Sequence, residues 1–378
     1  MIVEESEDTL ALAEKVIAAL TASAAGLIVV TRRAWRVEEN EALSASHHAL
    51  WALLRVAANE QPERLLAAID LAENTPWETL HQGLSAVSLS QRWLAARGDT
   101  LWLPSLSPNT GCAAELPANV FTGDSRWHLV TGAFGGLGRL AVNWLREKGA
   151  RRIALLAPRV DESWLRDVEG GRRASAVVMW AMPGNWPRFL TIWRPTAALP
   201  ERFMPLAYWL TRPCRSLMTT SWLPFRGKAQ AASQLLQTLR NHDGRYLILY
   251  SSAAATLARG QSAHALACGY LDGLAQQFST LDAPKRSLSP GARWEKRSGG
   301  HAGMLATLAS RGMGALSDAE GCWHLEQAVM RGAPWRLAMR VFTDKCPRYN
   351  RLCLTSAPQK KPQRRSFLLL MTTPLTAA

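Results

Sequence analysis

The stretch that most constrains the fold is Trp127–Arg146, WHLVTGAFGGLGRLAVNWLR. A short apolar run (Leu129, Val130) meets Thr131, Gly132, Ala133, Phe134, Gly135, Gly136, Leu137 and Gly138. A helical pattern follows, apolar at Leu140, Ala141, Trp144 and Leu145. Strand, glycine turn and helix in this order lift a glycine motif above coincidence. Gly132 permits the tight turn, Gly135 or Gly136 lets backbone N–H groups approach a pyrophosphate, and Gly138 lets the helix pack on the strand. The helix N-terminus favours the bound anion. The stretch reads as a dinucleotide site; a glycine-rich turn without a ligand is the alternative.

Upstream the pattern alternates between helix and strand without a second glycine fingerprint. Residues 1–25 have helical spacing, and GLIVVT (Gly26–Thr31) has the β-branched content of a buried strand. His48–Asn59 reads as a helix stopped near Pro62, and Leu65–Leu71 (LLAAIDL) as a strand. A helix over Thr75–Leu84 and a hairpin from Gln91–Arg97 and Thr100–Pro104 complete an α/β unit over 1–104. Residues 105–124, rich in Pro, Gly, Asn and Thr, read as a linker.

Downstream, Arg152–Ala157 (RIALLA) is the next strand, and Arg245–Tyr250 (RYLILY) a later one. Helices are predicted from Lys228 through Leu239, over His264–Gln277, and twice within Leu305–Met330, before a last strand at Trp335–Val341. Arg159, just past RIALLA, stands where an arginine meets a ribose 2′-phosphate, which favours NADP over NAD. A solvated surface arginine is the other reading, and Asp161 is close by.

The chain has 378 residues, 48% of them hydrophobic, enough for two cored domains. No apolar run is long enough to cross a membrane, and the acidic start MIVEESED is unlike a secretory leader. Six cysteines are scattered without a CxxC pair, so they read as reduced thiols of a cytoplasmic protein with no metal site. The net charge of +14 is concentrated. Residues 172–226 hold eight Arg against Glu201, 285–297 five Lys or Arg against Glu295, and 345–378 seven against no acid. These tracts show no groove-entering helix or RNA-binding motif, so nucleic acid is not the expected partner.

TGAFGGLG, RYLILYSSAAATLARGQSAHALACGYLDGLA and ATLASRGMGALSDAEGCWHLEQAV together resemble the ketoreductase domain of modular polyketide synthases. Their wording is most similar to the ketoreductases of yersiniabactin-type siderophore synthetases, which are hybrid polyketide and non-ribosomal peptide enzymes. The resemblance implies a double Rossmann-like α/β fold: a truncated, cofactor-free structural half over 1–104 and an NADP-binding short-chain dehydrogenase half over 125–344. It implies NADPH-dependent reduction of a β-ketoacyl thioester carried on the phosphopantetheine arm of an acyl carrier protein, beside other synthase modules. Thr131, Gly132, Phe134, Gly135, Gly136, Leu137 and Gly138 would hold the cofactor with Arg159. Ser252 matches the family serine, with a helix-cap serine as the alternative; Lys228 matches the family lysine, with a solvated lysine as the alternative. His264 stands in place of the family Tyr and Cys268 in place of the Asn, four residues apart on one helical face. Imidazole has an ordinary pKa of about 6.5 against about 10 for phenol, so the acid is altered.

The three basic tracts match the family poorly, and out-of-frame translation explains all three. A codon spelling of Phe203–Tyr208 read two bases on conceals H-A-A-G-V, the family's cofactor-side strand motif. Cys346–Leu352 conceals M-P-P-L-Q-Q-A in the same way, and Ser289–Glu295 conceals W-G-A-W. A divergent basic insertion is the alternative. The frame reading predicts a central sheet disrupted around 172–226, weak NADPH affinity, a second anomalous stretch at 284–300 and a disordered tail over 345–378. It also raises a second function: a catalytically dead reductase-like fragment of a frameshifted gene.

Overall fold

The computed structural model describes residues 1–3, 8–38, 41–76, 80–87, 92–108, 116–123, 127–157, 161–170, 175–180, 202–205, 222–241, 246–257, 261–277, 285–290, 310, 313–330, 335–341 and 365–374. The first half opens on α1 (Thr9–Ala22), started by Asp8, whose carboxylate accepts the Leu10 and Ala11 N–H groups at 3.0 and 3.2 Å. Its apolar stripe, Leu12, Ala13, Val16 and Leu20, is buried. Strands β1 (Leu27–Arg32), β2 (Leu65–Leu71) and β3 (Trp93–Arg97) run parallel, with α2 (Ala45–Glu60) between the first two and α3 (Leu80–Ala86) after the second. β4 (Thr100–Pro108) returns antiparallel to β3.

The second half begins with β5 (His128–Thr131), α4 (Gly136–Glu147), β6 (Arg152–Ala157), α5 (Glu162–Gly170), β7 (Ser175–Trp180) and β8 (Arg202–Pro205). One turn at Leu223–Phe225 and a π turn at Arg226–Gln230 lead into α6 (Ala231–Asn241). Then follow β9 (Tyr246–Tyr250), α7 (Ala254–Leu257), α8 (Ser262–Gln277), β10 (Lys285–Pro290), β11 (Met313–Gly314), α9 (Asp318–Met330), β12 (Trp335–Val341) and β13 (Arg365–Pro374). The sheet order is β1-β2-β3-β4-β13-β12-β10-β9-β8-β5-β6-β7. From β7 to β12 all neighbours are parallel, the doubly wound order of a Rossmann sheet.

Alternation along β9 splits the core of the second half. Ile248 and Tyr250 face the side of α4 and α9, where Leu140, Trp144, Leu145 and Leu325 pack; Leu247 and Leu249 face Leu235, Leu271 and Leu274 of α6 and α8. The two halves share a third core, in which Leu266 and Ala267 of α8 join Leu50, Leu53 and Leu54 of α2. Here α2 and α8 meet closely. A Cβ on Gly269 would lie 2.7 Å from Ala52 Cβ, and one on Gly273 would lie 2.8 Å from Ala45 Cα. Small residues let the helices touch, and α2 is buried along most of its length as a result.

Two strands fall within 172–226, the tract where the sequence reading places a disrupted sheet: β7 pairs β6, and β8 lies between β5 and β9. β8 is short: it pairs four residues with β5 but only Arg202 and Phe203 with β9. Pro205 ends it, since proline has no N–H to give a ladder. Likewise the anomalous 284–300 stretch supplies β10, paired on both sides. Of the tail 345–378, the described residues Arg365–Pro374 form β13, antiparallel to both β4 and β12. Without it those strands would be two unpaired edges, and an apolar run such as FLLLM covers them.

Candidate active site

The glycine turn lies at the carboxyl end of β5, where strand order reverses between β6 and β8. Open α/β sheets bind ligands in the crevice at such a switch point. Gly132 takes φ +63°, a left-handed value open to glycine at no steric cost, and its N–H donates to the Leu156 carbonyl at 2.6 Å. Gly135 precedes α4 and brings no side chain to cap it. A Cβ on Gly138 would stand 2.2 Å from the Gly132 carbonyl oxygen and 2.7 Å from Ala133 Cα, so the helix approaches the turn as only glycine permits. Phe134 packs edge-on to Trp164 at 5.4 Å, and Leu137 leans on the core. Thr131 is buried at the strand end. A glycine turn of this shape leading into the first turn of α4 fits a dinucleotide pyrophosphate.

Arg159 lies outside the described residues. The sequence reading missed a neighbouring cluster. Arg139, directly after Gly138, donates through Nε to the Phe134 carbonyl at 3.0 Å and pairs through Nη2 with Asp161. Its guanidinium stands 5.2 Å from the Trp164 ring. Hydrogen bonds from Ser163, Arg139 and the Trp164 N–H hold Asp161 well below the usual carboxylate range. Asp161 is therefore tied to Arg139 and to the start of α5 rather than left as a lone acid past β6. Its 22-residue separation from Arg139 gives no pattern to read in sequence.

At the carboxyl end of β9 the remaining residues come together. Ser251 is buried and donates to the Cys268 carbonyl at 3.0 Å. Ser252 Oγ accepts the Ala254 N–H at 3.2 Å, so it also caps α7, the role named as its alternative. The π turn carries Lys228 inward, 5% exposed, where Nζ donates to Cys268 Sγ at 3.3 Å. Cys268 is fully buried, and its Sγ lies 3.6 Å from His264 Nε2. Burial, then the Lys228 charge, lowers His264 from 6.5 to about 3. Burial pushes the Cys268 thiol up, against the opposing pull of Lys228. Burial thus favours the neutral forms of both the Cys268 thiol and the His264 imidazole. Asp272, one turn further along α8, is buried, and Arg55 of α2 feels its charge.

The structural half holds a counterpart of the glycine turn, closed by its own side chain. Arg33 takes φ +58° at the end of β1, and its N–H donates to the Leu71 carbonyl at 2.9 Å, as Gly132 does to Leu156. The next two N–H groups, of Ala34 and Trp35, donate to Asp70 Oδ1 and Oδ2 at 2.8 and 3.2 Å. Thr31 Oγ1 and Arg97 Nη2 complete the carboxylate's partners at 2.8 and 3.0 Å. A buried carboxylate thus occupies the nest, whereas register places Leu155 at the matching position of β6. β1 is the outermost named strand, and Ile2 pairs with Val30 on its outer side, where Val3 N–H donates to the Val30 carbonyl at 2.9 Å. A cavity of about 550 Å³ lined by Arg33, Glu41, Glu73, Thr75 and Arg97 lies next to this turn. Among the described residues, no three or more His, Cys, Asp or Glu are grouped to hold a metal, and no helix is long and apolar enough to cross a membrane.

Residues 2–106 match a family model described as polyketide synthase extender module SpnB, Rossmann fold domain, and residues 126–179 and 218–295 match the KR domain model. The chain is 28% identical over 322 residues to the spectinabilin polyketide synthase system protein NorA of Streptomyces orinoci, covering 82% of this chain and 17% of that protein. It is 31% identical over 231 residues to the polyketide synthase GfsB of Streptomyces halstedii, covering 54% of this chain and 4% of that protein. The chain therefore spans only a small part of these relatives' length. Among solved structures it resembles a C2-type ketoreductase from a modular polyketide synthase (TM-score 0.76, 23% identity, 88% of this chain and 74% of the other). It also resembles the first ketoreductase of the tylosin PKS (TM-score 0.70, 24% identity, 87% and 74%).

The fold and the glycine turn define a Rossmann-type α/β protein. Within that class, the two matched segments identify the chain as a KR domain of the modular polyketide synthase kind. The relatives named above are polyketide synthases rather than siderophore synthetases. The KR match breaks between 179 and 218, within the tract whose wording departs from the family.

Proposed function

We propose that the chain reduces a β-ketoacyl thioester, presented on the phosphopantetheine arm of an acyl carrier protein, to the β-hydroxyacyl form with NADPH. One observation carries this reading: the glycine turn and the Ser252, Lys228, His264 and Cys268 group stand at the carboxyl ends of parallel strands of one sheet. NADPH, when bound, supplies the hydride. Thr131, Gly132 and Phe134 through Gly138 would cradle its pyrophosphate, and Arg159 would meet the 2′-phosphate. Ser252 would hydrogen-bond the ketone oxygen and His264 would pass it a proton, with Lys228 and Cys268 behind. The proposed division is a structural half over 1–104, a linker over 105–124 and a catalytic half over 125–344. Other polyketide or non-ribosomal peptide modules would deliver and remove the acyl chain, and a siderophore pathway is the proposed setting.

A second reading, a catalytically silent reductase-like domain from a frameshifted gene, is favoured by His264 itself. With a pKa lowered to about 3, only about one imidazole in ten thousand is protonated at pH 7. General acid catalysis contributes about 10²–10⁴-fold, so most of that contribution is at stake. Reduction of a β-ketoacyl thioester mimic with NADPH separates the readings. The ketoreductase reading predicts slow turnover that rises at least about tenfold in His264→Tyr, within the range a general acid supplies. Absence of turnover in both forms, with NADPH bound, supports the silent domain.

A further inference from the structure

We propose that Arg55, on α2 of the first half, is a positioning residue for Ser252 of the second: it holds in place the turn of α7 that the serine caps. The inference rests on the ketoreductase reading above. Arg55 Nη1 donates to the Ala255 carbonyl at 3.3 Å, between residues 200 apart in sequence. Ala255 belongs to the same turn as the serine. Its N–H donates to the Ser252 carbonyl at 3.1 Å, and the Ala254 N–H donates to Ser252 Oγ at 3.2 Å. The guanidinium therefore grips the turn three residues past Ser252. Its own place is fixed by the first half, since Cζ stands 5.3 Å from the Trp35 ring and 5.6 Å from the Trp93 ring of β3. Buried Asp272 of α8 supplies the opposing charge.

The packing around Arg55 leaves this task to it. Ala52 and Val56 of α2 share one apolar cluster with Ala254 and Ala255 of α7 and with Ala265 and Cys268 of α8. α2 thus backs the group at the end of β9. Contacts among alanines and a valine are non-directional, so they fix how near α7 lies more than how it is turned. A planar guanidinium on a carbonyl fixes direction as well as distance. Other ties keep the two halves together without it. Arg36 Nη2 donates to the Gln276 carbonyl at the end of α8 at 2.7 Å, and Trp222 Nε1 donates to Glu14 of α1 at 3.0 Å. Loss of Arg55 should therefore loosen α7 in particular rather than part the halves. The serine is sensitive to such loosening, because a displacement of about 1 Å at a reacting group can cost about 10²-fold in rate.

The test compares the full chain as wild type, Arg55→Met and Arg55→Lys. Met keeps the packing of the stem and removes the donor and the charge; Lys keeps the charge beside Asp272 but not the planar fork. Hydrogen exchange of single backbone amides, read by NMR in the chain alone, reports the hold on α7 without turnover. The Ala254 and Ala255 amides should exchange at least about tenfold faster in Met, the scale of a hydrogen bond from a charged donor, while those of β9 stay as in wild type. Lys should lie between. With NADPH and a β-ketoacyl thioester mimic, kcat should fall about ten- to a hundredfold in Met, with KM and NADPH affinity within about twofold of wild type. Lys should again lie between, so the weaker variant decides if Met does not fold. Wild-type exchange at Ala254 and Ala255 in either variant overturns the positioning role. Exchange that rises equally along β9 and α8 overturns it too, since that is general loosening, and so does wild-type kcat in a variant whose α7 amides exchange faster. A wild-type chain that yields no alcohol overturns the ketoreductase reading and the part of Arg55 in turnover, whereas the exchange pattern stands or falls alone, which tells the two failures apart.

Discussion

Gly138→Ala is the sharpest single perturbation of the nucleotide cradle. The added Cβ would stand 2.2 Å from the Gly132 carbonyl oxygen and 2.7 Å from the Ala133 Cα and carbonyl carbon. Atoms of this kind sit comfortably at about 3.5 Å, so α4 and the turn must part by about 1 Å. The helix cannot retreat freely, because Leu140, Ala141, Val142, Trp144 and Leu145 are buried behind it. Forcing an extra methyl into such packing costs about 1–3 kcal/mol. The first-turn N–H groups move with the helix, and at about 1.4 kcal/mol per tenfold the same displacement weakens NADPH by about ten- to a hundredfold. Fluorescence titration with NADPH and thermal unfolding of the same samples read both effects. Gly227→Ala is the control, since a Cβ there meets nothing within 4 Å. Gly138→Ala with NADPH affinity and melting temperature both equal to wild type would refute the reasoning.

Two further outcomes concern stability. Asp70→Ala removes a buried carboxylate from Arg97, Thr31 and the Ala34 and Trp35 N–H groups, and should destabilise the chain by about 3–5 kcal/mol, as breaking a buried pair does. Formate should restore part of that in urea melts, and a loss under about 1 kcal/mol would contradict the role given to Asp70. His48 is buried, and burial lowers its pKa from 6.5 to about 4; the Ala34 carbonyl opposes this and the Arg55 charge adds to it. The unfolded chain holds the extra proton between those values. This stability is thus fully present above about pH 6.5 and is lost as pH falls toward 4, by about 3 kcal/mol. His264, lowered to about 3, adds a slope of the same sign, so urea melts near pH 7 and near pH 4.5 should show both contributions and His48→Gln should remove about half; an unchanged slope counts against the assignment.

What was legible in sequence follows from the range of the forces involved. Gly132 and Gly138 answer to sterics between near neighbours in the chain, so their spacing alone announces the turn. The parallel strands of the first half show in their β-branched and apolar runs. Asp70 was a readable signal that went unused, being an acid in the otherwise apolar strand LLAAIDL, which only a set of buried donors can hold. The Lys228–Cys268 contact joins residues 40 apart and rests on a π turn, an irregularity no periodicity reveals. β8 and β13 were invisible for another reason. Arg202–Pro205 has a poor strand composition and lies in the sheet because β5 and β9 flank it, while β13 is held by β4 and β12. In both, pairing partners outweigh local propensity, which is the usual limit of reading strands from composition.

The central claim is that this site can carry hydride from NADPH to a ketone, however slowly its altered acid protonates the oxygen. The most direct measurement is a long incubation of the purified chain with NADPH deuterated at the transferable position of nicotinamide and a β-ketoacyl thioester mimic, followed by mass spectrometry of the product. The account predicts a β-hydroxyacyl thioester with deuterium on the carbinol carbon, formed faster by His264→Tyr. A chain that binds NADPH but yields no labelled alcohol in either form would contradict it.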